Sequence, residues 1–301
     1  MNTNFSAWIQ AIRPRTLPLA LSSTILGSFI AASEKAFHWQ VFVLASFTTL
    51  FLQILSNLAN DYGDYTKGTD KTGRTGPLRM VQSGLIKPQQ MIAAIITVAF
   101  LSLFFGSWLI LTGTHGNGPG IKIIYFILGF AAIAAAVKYT IGRKPYGYIG
   151  MGDLFVFIFF GLTGVIGTYY LHTQHLRYDI LLPATSVGLL SAGVLNINNI
   201  RDYKSDIQAS KKTLVVMIGN RWAKIYHLTL LAGAVITGSL YTIINFRSGY
   251  QWLFLLTTPL LITNMMTVFN FTKPIELNTE LKKLAFSTLL FSFSFGIGLL
   301  F

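Results

Sequence analysis

Ten carboxylates in 301 residues are few enough for their placement to carry information. Five fall in two short segments: Asp61, Asp64 and Asp70 in SNLANDYGDYTKGTDK, then Asp202 and Asp206 in NINNIRDYKSDIQASKKT. Each segment contains Asn, three residues, then Asp-Tyr, as Asn60 to Asp64-Tyr65 and as Asn198 to Asp202-Tyr203. Where such a segment continues a helix, residues four apart lie on one face, a turn above one another. Oxygen ligands at that interval suit a hard cation, and magnesium is typically held by a few carboxylates together with substrate phosphates. Two clusters can hold metal ions on either side of one diphosphate. Lys67, Arg74, Arg79, Arg201, Lys211 and Lys212 are placed to neutralise the remaining phosphate charge. The plainer reading makes the Asp and Asn residues loop formers and helix caps, and the matched pair of segments weighs against it.

The elements that position these residues are membrane helices. The chain is 52% hydrophobic and 11% charged, where a soluble domain carries about a quarter charged residues. A spanning helix needs roughly 20 apolar residues. Nine runs qualify, near 16–33, 38–58, 91–112, 121–137, 153–171, 180–199, 223–245, 251–269 and 283–301. The expected fold is all-α, a single membrane bundle over 1–301 with no separate soluble domain. Of the 23 Lys and Arg, 19 fall in one alternating set of loops, against Lys35, Lys122, Arg177 and Arg247 in the other. Cytoplasmic loops retain Lys and Arg, so orientation accounts for the net charge of +13 better than nucleic acid does. The N-terminus lacks the layout of a signal peptide and is expected to be retained. Both Asp segments fall on the cytoplasmic side, four spans apart, which suggests an internal parallel repeat.

Other features point away from alternative chemistry. There is no Cys, which excludes disulfides and thiolate ligands. GTHGNGPG (Gly113 to Gly120) lacks the flanking strand of a phosphate loop and reads as a turn on the outer face. His38, His115, His172 and His175 also fall outside, so a histidine metal site is not expected. A few of the 24 Phe and 13 Tyr can line a cavity and stabilise a carbocation through their ring faces.

At its two Asp segments the sequence resembles the UbiA superfamily of intramembrane aromatic prenyltransferases. The resemblance extends over RPRTLPLA (Arg13 to Ala20), NLANDYGDYTKGTDKTGRTGPLR (Asn57 to Arg79), YGYIGMGDLFVFIFFG (Tyr146 to Gly161) and NINNIRDYKSD (Asn196 to Asp206). The first motif departs from the superfamily's Asn-x3-Asp-x3-Asp, because Gly68 stands four residues after Asp64 and the next carboxylate is Asp70. That departure, with Gly76-Pro-Leu-Arg79 after it, is similar to the naphthoate branch of the superfamily.

The resemblance implies about nine helices around a central cavity, capped by the Asp-bearing cytoplasmic loops and open sideways to lipid. It implies Mg2+ on Asp64, Asp70, Asp202 and Asp206, with Asp61 a further ligand or a structural group. The substrates implied are a polyprenyl diphosphate and 1,4-dihydroxy-2-naphthoate, giving demethylmenaquinone with loss of CO2 and diphosphate in a bacterial cytoplasmic membrane. Tyr139 and Lys138 are then candidates to contact diphosphate or cation, or else interfacial anchors. Asp153 is a candidate to orient or deprotonate the acceptor, or else a favourable charge at a helix N-terminus. Two readings compete: another aromatic acceptor such as 4-hydroxybenzoate or homogentisate, and a secondary transporter. The loop asymmetry predicts a cytoplasmic N-terminus and an outward C-terminus. Reporter fusions at both ends test this, and finding both on one side would discard nine spans.

Overall fold

Inside hydrocarbon no water satisfies backbone N–H and C=O groups, so an apolar run that enters it closes its own hydrogen bonds as a helix. The computed structural model describes residues 5–68 and 75–301, and among these there is no strand. A short amphipathic helix, α1 (Phe5–Ile12), buries Ala7 and Ala11 and leaves Phe5 and Ile9 exposed. Then come α2 (Leu17–Ser33), α3 (Trp39–Lys67), α4 (Pro88–Gly113), α5 (Pro119–Lys138), α6 (Gly152–Thr173) and α7 (Leu181–Arg201). A short α8 (Tyr203–Gln208) leads into α9 (Leu214–Ile244), α10 (Gly249–Asn270) and α11 (Leu277–Gly298).

Among the described residues nine long helices thus stand where nine runs are expected, and eight of them are apolar enough to cross a membrane by length and composition. The exception is α11, which carries Glu280, Lys282 and Lys283 near its start and buries Ser287, Thr288 and Ser292. It packs against α2 and α7, so much of its polar surface meets protein rather than lipid. At the other extreme, α5 buries only Ala135 and turns Ile123, Ile127 and Phe130 outward. The GTHGNGPG segment is a turn joining α4 to α5, as expected.

One large apolar core joins α2, α6, α7, α9 and α11, with Leu26, Tyr169, Leu190, Leu231 and Phe291 fully buried. A smaller core ties α1, α3 and α4 to the loop residues Met80, Val81 and Ile86. The middle of α6, Phe157–Ile166, winds as a π-helix, a wide turn found often at functional sites. There Gly161 meets α7 so closely that a Cβ would stand 2.7 Å from the Ala184 carbonyl oxygen and from Gly188 Cα. Small residues at such crossings let backbones approach where hydrophobicity no longer drives association. Gly161→Val should therefore destabilise by about 1–3 kcal/mol, the usual cost of overpacking. A lowered thermal midpoint in detergent is expected, and an unchanged midpoint would show that the α6–α7 contact yields freely.

Candidate active site

The first Asp motif is helical to its end, because α3 runs past the apolar segment and stops only at Gly68, whose φ of 65° closes it. Asp64 lies in that last turn, buried. Its Oδ2 pairs with the Arg79 guanidinium, and its Oδ1 accepts the Tyr148 hydroxyl at 2.9 Å. Gly63 lets the end of α5 press against α3, since a Cβ there would meet the Thr140 backbone at 2.9 Å. Thr140 in turn donates to the Ala59 carbonyl at 3.0 Å and to Asn60 Oδ1 at 3.3 Å. Asp61, expected as a further ligand or a structural group, has contacts of the second kind. Its two oxygens accept the Met80 and Val81 N–H groups at 2.9 and 3.0 Å, which pins the loop that carries Arg79. Asp70 and Arg74 lie outside the described residues.

The second motif sits at the α7–α8 junction, where Asp202 N–H bonds Asn198 O at 3.1 Å and Asp206 N–H bonds Asp202 O at 2.8 Å. The one-turn spacing read from the sequence is therefore kept across the junction. Arg201 grips Asp202 bidentately, at 2.8 Å from Nε and 2.6 Å from Nη2. The same guanidinium reaches Asn198 Oδ1 at 2.8 Å and Asn278 Oδ1 at 2.9 Å. Arg201, expected at the phosphate, clasps Asp202 here and ties α7 to α11. Asp206 stands 3.5 Å from Lys211 Nζ through Oδ1, while its buried Oδ2 accepts no hydrogen bond among the described residues. Burial pushes the Asp206 carboxyl up, Lys211 pulls it down, and Asp202 and Asp64 push it up again, to about 6. Burial works against the Lys211 charge, but Asp206, Asp64, Tyr148 and Asp202 outweigh it and hold the ammonium protonated.

Lys211 and Lys212 part company here. Ser210 turns the chain at φ 55°, which leaves Lys211 buried and Lys212 exposed, its N–H on the Tyr148 carbonyl at 3.1 Å. Tyr148, which no spacing in the sequence marks, links both motifs. Its hydroxyl is on Asp64, and the ammonium groups of Lys67 and Lys211 each lie 5.4 Å from its ring centre. Lys67 is exposed.

Between the motifs opens a cavity of about 340 Å³. Arg13, Asn60, Asp64, Arg79, Asn198 and Lys211 line its polar end, and Asp202 and Asp206 stand just behind the last two. Deeper, the wall is apolar or small, with Gly106, Leu109, Ala132, Phe159, Phe160 and Leu171. Tyr139 is on the wall, edge-on to Tyr146 at 5.3 Å, and Tyr146 stacks on Phe155 at 4.1 Å. Burial, then Asp153, Asp64 and Asp206, pushes the Tyr139 phenol upward, so it stays protonated. Lys138, its expected companion, is exposed and off the wall. Asp153 is buried behind Tyr139, with one oxygen lacking a hydrogen-bond partner among the described residues. The histidines hold structure: His172 bonds Ser28 and the His38 N–H, and His227 bonds Asn264, each at 3.0 Å.

Among the described residues no three carboxylate or imidazole groups gather closely enough to enclose a cation alone. The donors come singly or in pairs on either side of the mouth. That suits magnesium, which keeps waters and takes phosphate oxygens to complete its shell. The unpartnered Oδ2 of Asp206 is a further oxygen in want of a positive neighbour.

Comparison with known proteins places this arrangement. A profile of the UbiA prenyltransferase family matches residues 20–296. The chain is 42% identical to 1,4-dihydroxy-2-naphthoate octaprenyltransferase of Escherichia coli, over 97% of this chain and 94% of that one. It is 41% identical to the protein of the same name from Haemophilus influenzae, over 100% and 97%. A UbiA homologue from Archaeoglobus fulgidus, solved with GPP and Mg2+, superposes with a TM-score of 0.69 at 16% identity, covering 98% of this chain and 99% of that one.

Protons compete with metal at a carboxylate poised near neutrality. Asp206 is protonated below about 6, so Mn2+ affinity, followed by electron paramagnetic resonance, should weaken as pH falls from about 7.5 to 5.5. Asp206→Asn should flatten that dependence. An affinity constant with pH in the unaltered protein would remove the buried carboxylates as ligands.

Proposed function

The chain belongs to the UbiA prenyltransferase family, and from that premise we propose that it transfers a polyprenyl group to 1,4-dihydroxy-2-naphthoate, releasing diphosphate and CO2. One observation carries the reading. Two carboxylate clusters, at matching places in the two halves, meet across the charged end of a cavity whose remaining wall carries no charged side chain. The naphthoate acceptor follows the names of the two bacterial relatives, and it deepens the family assignment rather than resting on geometry.

Arg79, Lys211 and Arg13 bring positive charge to the wall where a diphosphate seats. Asp64, Asp202 and Asp206 are the residues that would hold Mg2+. The ion, when bound, supplies Lewis-acid neutralisation of phosphate oxygens. The allylic C–O bond breaks with its electron pair leaving on the diphosphate, and the prenyl carbon becomes cationic. Tyr139, Tyr146, Phe155 and Phe159 line the wall there, and aromatic faces attract cations. Because Tyr139 stays protonated, its oxygen does not compete as a phenolate nucleophile. The apolar wall keeps out the water that would quench the cation.

The electron-rich acceptor ring attacks through the carbon that bears its carboxylate. The carbon–carboxylate bond then breaks, returning its electron pair to the ring and releasing CO2. By electron count the product leaves as a hydroquinone, and demethylmenaquinone is reached by a separate two-electron oxidation. Asp153, behind Tyr139, acts on that phenol through its charge. The active site faces the cytoplasm in the bacterial cytoplasmic membrane, with the prenyl tail lying in the apolar arm of the cavity.

Asp64→Asn and Asp202→Asn should each lower diphosphate release by about 10² or more, the scale on which a preorganised charge acts. The double variant should lose far less than the product of the two, because groups acting on one diphosphate are non-additive. Diphosphate and prenylated product, measured together in detergent with Mg2+, report this. Near-wild-type release from a folded single variant, or no release from the unaltered protein, would overturn the assignment.

A further inference from the structure

Two buried oxygens on the cavity wall accept no hydrogen bond among the described residues: Oε1 of Gln53 on α3 and Oγ of Ser191 on α7. The Gln53 amide is oriented by its neighbours. Thr16 gives its hydroxyl proton to the Arg13 carbonyl at 3.0 Å, and Asn57 gives Nδ2 to the Ile12 carbonyl at 2.8 Å. Both therefore offer acceptors to Gln53 Nε2, at 3.2 and 3.3 Å, which leaves Oε1 without a donor. Ser191 is 1% exposed. Helical serines usually return their hydroxyl to the carbonyl four residues back, as Ser22 and Ser46 do at 3.0 and 2.8 Å. Ser191 makes no such bond.

The two positions are related. Gln53 stands seven residues before Asn60, and Ser191 seven residues before Asn198, the residues that open the two Asp motifs. Seven residues are two helical turns, about 10 Å of rise. Each half of the fold thus offers one unsatisfied oxygen at equal depth below its carboxylate cluster. Both line the cavity that an acceptor ring must enter to meet a prenyl carbon below the diphosphate. The Gln53 oxygen can only accept, so its partner must donate a proton, and a carboxylate does not fit it. The Ser191 hydroxyl both donates and accepts.

We propose that Gln53 and Ser191 select the acceptor by holding its two para oxygens, one from each half of the bundle. The site takes a 1,4-dihydroxy aromatic with an O–H directed at Gln53 and the opposite oxygen at Ser191. A buried polar group left without its partner disfavours analogues lacking that partner, so each residue discriminates one end of the ring. This rests on the proposed reaction and adds to it the residues that set acceptor choice.

The test measures competitive inhibition, against 1,4-dihydroxy-2-naphthoate turnover, by 1-hydroxy-2-naphthoate and 4-hydroxy-2-naphthoate. Each is compared with the KM of the dihydroxy acceptor in the unaltered protein, Gln53→Leu and Ser191→Ala. Each substitution should raise that KM by about 10-fold or more, the scale of one lost hydrogen bond to a buried group, and leave the KM for prenyl diphosphate unchanged. Each should also leave the Ki of one monohydroxy analogue unchanged, a different analogue for each residue. Equal weakening toward all three acceptors, or none toward any, would overturn the proposal. Ser191→Ala removes a single unbonded oxygen, so it decides the matter if Gln53→Leu fails to fold. Loss of prenyl transfer by the unaltered protein would instead strike the proposed reaction.

Discussion

A charged carboxylate carried into a low-dielectric helix bundle is far less costly when a positive group meets it. The end of this molecule that carries the two Asp motifs is organised around that constraint. Arg79 meets Asp64, Arg201 meets Asp202, and Lys211 stands over Asp206. Each cation brings a further piece of structure with it. Arg79 rides on the loop that Asp61 pins through the Met80 and Val81 amides. Arg201 binds Asn278 on α11, whose amide reaches the Thr75 carbonyl at 3.3 Å and so returns to the Arg79 loop.

Tyr148 closes the ring of contacts from the α5–α6 loop. It touches Asp64 by its hydroxyl, the two lysines by its ring face and Lys212 by its carbonyl. The two motifs are therefore mechanically joined before any ligand enters. The helices below them are joined by close backbone contacts, Gly63 against Thr140 and Gly161 against Gly188. A wide-turned α6 contributes Phe159, Phe160 and Thr163 to the cavity wall. Charge at one end and apolar wall at the other give a single cavity two solvents, one for a diphosphate and one for a hydrocarbon tail.

Much of this was legible in the sequence. Length and apolarity bring out the helices, because a backbone in hydrocarbon has no other way to satisfy its polar groups. Among them α11 is the least apolar, since contact with protein lets it carry Glu280, Lys282 and Lys283 near its start. The Asn-x3-Asp spacing marks Asp64 and Asp202 because helical periodicity is local. It marks Asp61 as readily, and that carboxylate, about a quarter-turn off the shared face, accepts two loop amides.

Sequence by itself determined the bundle, its alternation of charged loops and the two carboxylate turns, all of which depend on spacing within one segment. Only the tertiary structure decided which cation serves which carboxylate. Lys211 and Lys212 are adjacent and alike, and a left-handed residue at Ser210 sends one inward and the other out. Arg201 lies within one Asp motif and Arg79 follows the other, yet one has its nitrogens filled by protein acceptors while the other reaches the cavity wall. The same holds for Tyr148, Gln53 and Ser191, whose meaning lies in groups 84 residues away or in a partner that is not supplied. Hydrogen bonding and charge pairing act through space at a few ångströms, and chain order constrains those distances only within a turn or two of helix.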